Sequence, residues 1–141
     1  MKNTLIGISV CLTGMAGIAN AAVIDDFSLP AAGLTVNGPQ TGFAAGISSA
    51  GYARSLDITT SGTDTNVQIN TATNPGRYAH SQSAGVFGTS TLTYTLPSID
   101  LTDGGTSNAL RLVLLSTDLN GILGVSINGI AQSLTTNAIL I

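Results

Sequence analysis

Leu92, Tyr94 and Leu96 alternate with Thr91, Thr93 and Thr95. This alternation narrows the available folds more than any other property of the chain. Successive side chains of a strand point to opposite faces, so a period of two gives one apolar face and one polar face. Threonine and tyrosine suit such a half-buried pleated surface. The pattern recurs from Tyr52 to Thr59, where Leu56 and Ile58 share a face, and again at Val67 and Ile69. Beyond residue 21 no stretch repeats apolar residues at i, i+3, i+4 and i+7 over three turns, as an amphipathic helix requires.

Other segments extend the β reading. Val23 to Phe27 reads as an opening strand, and Thr59 to Thr73 as strand plus loops. Leu110 to Leu115 is continuously apolar, which predicts a central strand covered on both sides with Arg111 near an end or edge. Asn128-Gly129, flanked by Val125, Ile127 and Ile130, predicts a hairpin, because Asn-Gly tolerates the positive φ angles of a type I′ turn. Breakers separate the runs at Pro30, Gly38-Pro39, Gly62, Asn74-Pro75-Gly76, Pro97, Gly104-Gly105 and Gly121. Strands punctuated in this way predict an all-β fold, a single antiparallel β-sandwich of jelly-roll-like form over residues 22–141. Its expected core includes Leu56, Ile58, Leu92, Leu96, Leu112, Leu114, Val125 and Ile127.

The first 21 residues read differently. Lys2 supplies a positive start, Leu5 to Ile18 is an apolar stretch broken by small residues, and Ala19-Asn20-Ala21 has the small-x-small form of a cleavage site. This predicts a secretory signal peptide cut after Ala21 and a secreted or extracellular mature chain without a membrane span. Val10 before Cys11 is too large for lipoprotein processing, so Cys11 is expected to leave with the leader. The mature chain then holds no cysteine, three arginines and seven aspartates, for a net charge of −4. A nucleic-acid partner needs a basic surface to displace counterions, which this composition does not supply. It equally lacks the basic patch that anionic lipid attracts.

Chemistry-bearing residues are sparse. His80 is the one histidine, near Ser81 and Ser83 but without a Gly-x-Ser-x-Gly elbow, and it reads as a surface residue. Asp25 and Asp26 are adjacent, so in a strand they face opposite ways and cannot form a glycosidase pair. Asp100-x-x-Asp103-Gly104-Gly105 and Asp118-Leu119-Asn120-Gly121 resemble calcium loops in their oxygen content. Both lack the twelve-residue spacing with a terminal glutamate and read as ordinary turns. Among the aromatics, Phe27, Phe43, Phe87 and Tyr94 are expected in the core. Tyr52 and Tyr78 are left as candidates for stacking on a sugar ring. No catalytic, cofactor-binding or metal residue is assigned.

Several stretches together resemble secreted β-sandwich proteins of Gram-negative bacteria, of the kind that often carry a PEP-CTERM sorting tail. They are Ala19-Asn20-Ala21-Ala22, Val23-Ile24-Asp25-Asp26-Phe27-Ser28, Arg54-Ser55-Leu56-Asp57-Ile58, Gly85 to Leu96, and Ile99-Asp100-Leu101-Thr102. The resemblance implies export to the envelope. The chain departs from the pattern at its end, with no Pro-Glu-Pro, no apolar C-terminal span and no closing basic cluster. Asn137 to Ile141 is expected to be either a truncation point, leaving an open strand edge, or a final core strand. The expected function is a non-catalytic protein of the cell envelope or extracellular matrix, structural or weakly glycan-binding, with extracellular polysaccharide or envelope components as partners. An adhesin or fibre subunit is the alternative, and a secreted hydrolase using His80 or an aspartate pair a remote one.

Overall fold

The computed structural model describes residues 8–12, 23–101, 110–115 and 121–136. Every regular element among them is a strand: β1 (Ile8–Leu12), β2 (Val23–Asp25), β3 (Leu34–Asn37), β4 (Gln40–Ile47), β5 (Ala53–Thr60), β6 (Thr65–Thr71), β7 (Asn74–Gln82), β8 (Gly88–Thr95), β9 (Leu110–Leu114), β10 (Gly121–Ile127) and β11 (Ile130–Thr136). The pairings are antiparallel. The fold is all-β and sandwich-like.

Two three-stranded sheets, β3-β6-β7 and β4-β5-β8, face each other. Alternation explains which side chains meet between them. β5 turns Arg54, Leu56 and Ile58 inward, and β6 turns Thr65, Val67 and Ile69 inward. With Phe27, Val36, Ala45 and Tyr78 these apolar residues form the core cluster, and Leu34, Phe43 and Leu92 pack against it. Burial of this apolar surface is the main stabilising term in a chain without disulfides. Polar bonds also cross the layer, among them Thr65 Oγ1 to Thr60 Oγ1 at 2.8 Å and Gly88 N to Gln82 Oε1 at 2.8 Å.

Two further units are the sheet β2-β1-β9, whose β1 lies close to β7 of this sandwich, and the hairpin β10–β11. Of the expected leader, Ile8–Leu12 is described, and in the full chain it is the middle strand between β2 and β9. In the hairpin, Asn128 and Gly129 have φ of 50° and 83°, as the Asn-Gly signal predicts.

The structure corrects three expectations about the frame. β9 is an edge strand of its three-stranded sheet, with Leu112 and Leu114 half-buried, because an apolar run does not distinguish a central strand from an edge one. Arg111 is exposed on it. Val125 is half-buried and Ile127 exposed, since β10 packs chiefly against β11. Asn74-Pro75-Gly76 opens β7 rather than breaking the chain; the turn lies at Ala72-Thr73. Asp103 and Asp118 lie outside the described residues.

Candidate binding surface

The outer face of the β3-β6-β7 sheet is polar for the same reason that its inner face is apolar. Asn37, Asn66 and Ser81 form one cross-strand row, with Gln68 in the next row along β6. At the end of the sheet, loop residues Thr63, Asp64 and Ser83, together with Gln82, complete an open trough of about 470 Å³. The two connecting loops are tied together: Ser83 N donates to Asp64 O at 3.1 Å, and Ser61 N donates to Phe87 O at 2.8 Å. Phe87 therefore stands on the loop that supplies Ser83 to the trough.

Hydrogen bonding inside the trough is partly committed. Asn66 Nδ2 donates to Asn37 Oδ1 at 2.8 Å. That bond uses one donor and one acceptor and leaves Asn37 Nδ2 and Asn66 Oδ1 for a ligand. Gln68 Oε1 accepts from Asn74 Nδ2 at 2.7 Å and from Thr71 Oγ1 at 3.0 Å, which fixes its amide and leaves Nε2 as a donor. Asp64 is the one charged side chain in the lining. Such a surface offers amides, hydroxyls and a carboxylate, and no cation.

A second polar group is buried where β2 meets the sandwich. Asp25 and Arg54 form an ion pair at 2.7 Å with both side chains at 0 % exposure. Asp25 Oδ1 accepts from Phe27 N at 2.9 Å and Ser49 N at 3.3 Å, and Oδ2 also accepts from Tyr94 Oη at 2.8 Å. Arg54 Nη2 donates to Leu29 O at 2.6 Å, while Nε has no partner. Burial, with the Asp25 charge against its hydroxyl, holds Tyr94 ionisation far above the usual tyrosine range. Asp26, just past the end of β2, is exposed. Hydrogen bonds from Ser28 hold its carboxyl below the usual range. The Asp25 cluster fastens β2 to β5 and β8 and is walled off from solvent.

His80 is the third. It is buried on the inner face of β7, not on the surface, because Tyr78 and His80 continue the inward alternation. Its Nδ1 meets Ser90 Oγ on β8, and Tyr78 Oη donates to the same oxygen. Ser81 lies on the outer face and Ser83 in the loop, so neither partners the ring. A serine against a histidine is the contact of a nucleophile–base pair, which a third group orients in a triad. Here both sit between the sheets, and the trough lies on the far side of β7. Burial pushes His80 below its usual value and pushes Tyr78 up to about 12.

The aromatic assignments change accordingly. Tyr78 is buried in the core and cannot stack on a ligand, whereas Phe87, expected in the core, is 79 % exposed. Tyr52 is half-buried. Short range decides both corrections: Phe87 lies in a loop between Gly85 and Gly88, and Tyr78 is two residues from His80 on an inward face. Among the described residues no three His, Cys, Asp or Glu side chains come together as a metal-holding group, and no helix is long and apolar enough to cross a membrane. No family model matches the chain, and no curated protein or solved structure matches it.

Proposed function

We propose that this chain is an exported, jelly-roll-like, non-catalytic protein of the bacterial envelope or extracellular matrix that binds neutral glycan in the outer trough of the β3-β6-β7 sheet. The trough carries the reading: amide and hydroxyl groups in cross-strand rows, set on a rigid sheet, with an exposed aromatic ring at the same end. Sugars present hydroxyls that both donate and accept, which amides match, and a C–H face that packs on an aromatic ring. A lining whose one charge is Asp64, on a net-negative chain, disfavours uronate or sulfated polymers and leaves neutral ones. The non-catalytic part rests on the placement of Ser90 and His80 between the sheets, away from the trough.

Affinity electrophoresis in gels containing a neutral β-glucan, dextran or alginate tests this. We expect retardation by a neutral polymer and not by alginate. One lost hydrogen bond is worth roughly 1 kcal/mol, so Asn66→Ala is expected to weaken binding by about fivefold. Phe87→Ala is expected to weaken it by a similar factor. No retardation by any neutral polymer, or full retardation of Asn66→Ala, refutes the assignment.

A further inference from the structure

Strand β8 pairs with β5 along its whole length, from Ala53 opposite Thr95 to Thr60 opposite Gly88, and its other edge is unpaired among the described residues. Such an edge is a row of N–H and C=O groups ready to template another strand, and proteins blunt it with brevity, bulges, proline or charge. The other outer strands of the sandwich carry these devices. β3 has four residues. β4 has two register shifts, with Gly42 and Gly46 at positive φ. β7 carries Pro75 and Arg77. β8 has eight residues, no charge, no proline and no register shift.

The inner face of β8 is also incompletely covered. Leu56 and Ile58 on β5 are 0 % and 1 % exposed, but Leu92 and Ser90, which face them on β8, are half-buried, as is Tyr94. Among the described residues the layer stops at β8, so a strand added there covers these side chains as well as the backbone edge.

We propose that β8 pairs antiparallel with β8 of a second copy of this chain, joining two sandwiches into a two-fold dimer through one continuous six-stranded sheet. Facing residues must lie on the same side of the sheet, which limits the register. Centring the two-fold axis on Leu92 sets Leu92 against Leu92 of the second copy and Ser90 against Tyr94 on the inner face. Thr91 then faces Thr93, and Thr89 faces Thr95, on the outer face. This register brings the half-buried leucines together, makes cross-strand threonine pairs, and opposes no like charges. The contact is the same patch on both copies, so it closes at two. It involves neither the trough nor Phe87 and stands independently of the glycan reading.

The test is light scattering on the full chain during size exclusion, between about 1 and 200 µM. The wild type is expected to shift from monomer to dimer mass over that range. Thr91→Lys with Thr93→Lys places lysines opposite lysines and is expected to give monomer throughout. Thr91→Lys with Thr93→Glu places opposite charges in register and is expected to keep the dimer. A monomeric wild type overturns the proposal. So does a dimer that survives the two lysines, which would place association elsewhere, such as at exposed Ile122 and Ile130 of the β10–β11 hairpin. A Lys/Glu variant as monomeric as the Lys/Lys variant overturns the register. Far-UV circular dichroism reports whether the variants fold. Should the lysines unfold the chain, Leu92→Cys in a Cys11→Ser background replaces them: oxidation is expected to link two copies through residue 92, and failure to link overturns the pairing.

Discussion

Replacing Arg54 with methionine leaves the Asp25 carboxylate buried with no counter-charge. Met keeps the hydrophobic stem but removes the Nη1 bond of 2.7 Å to Asp25 and the Nη2 bond of 2.6 Å to Leu29 O. Removing one member of a fully buried pair costs about 3–5 kcal/mol. Arg54 Nε is already buried without a partner, and relieving that orphan returns on the order of 1 kcal/mol. The net expected loss is about 2–4 kcal/mol, a large share of the roughly 5–15 kcal/mol by which domains are stable. With a urea m-value near 2 kcal/mol/M, the midpoint falls by about 1–2 M. Asp25→Asn alone strands a buried guanidinium and is expected to cost a comparable amount. The double variant strands no charge, so its loss is expected to fall well short of the sum of the two. Urea titration of all four proteins at pH 7 gives the cycle. Additivity within about 0.5 kcal/mol, or an Arg54→Met loss below about 1 kcal/mol, refutes the argument that the pair acts as a desolvated unit.

Other consequences are more local. Gly38→Ala places a Cβ 2.6 Å from Ile58 Cγ2, a core atom with no room to retreat, and is expected to cost about 1–3 kcal/mol by calorimetry or urea titration. Burial holds His80 below the usual histidine value of 6.5 when folded, so the unfolded chain binds the proton first. Stability is then full above about pH 6.5 and declines as pH falls through that value, a slope that His80→Asn is expected to flatten in urea midpoints from pH 8 to pH 5. Tyr78 and Tyr94 are raised from 10.0, so the unfolded chain loses their protons first and a second decline is expected above about pH 10, weaker in Tyr94→Phe. A chain beginning at Ala22 lacks β1, but among the residues whose side chains are described the core cluster begins at Phe27. Its thermal midpoint is expected within about 4 °C of the full chain, and loss of cooperative unfolding contradicts this.

What could be read from the sequence was local. Asn128-Gly129 specifies a turn through its own backbone preferences, and the hairpin forms as expected. Leu56, Ile58, Val67 and Ile69 announce a buried face through period two, and all four are in the core. The same period places Arg54 beside Leu56, so its inward position was legible. Its partner was not, because Asp25 lies 29 residues away and only the sheet arrangement brings the two together. β3 and β4 carry weak alternation, and their sequence does not announce them as strands. His80 and Tyr78 show the limit from the other side: a lone histidine reads as surface until its strand is known to have a partner sheet. The trough falls in the same class, since Asn37, Asn66 and Ser81 become neighbours only through the β3-β6-β7 register.

The two surfaces follow from one property of the composition. With no glutamate and few charges, polarity has to come from threonine, serine, asparagine and glutamine. On the outer face of the β3-β6-β7 sheet these side chains combine with loops and an exposed ring, and the result is a concave surface with unspent donors and acceptors. On β8 the same chemistry leaves an edge with no charge to repel another strand. Charge keeps sheet edges apart more effectively than hydroxyls do. A charge-poor β-sandwich therefore needs either proline, bulges and short strands at every edge, or a partner at the one it leaves bare. β3, β4 and β7 follow the first course. β8 has only the second, which is why lysines at Thr91 and Thr93 are expected to act on assembly while leaving the trough unchanged.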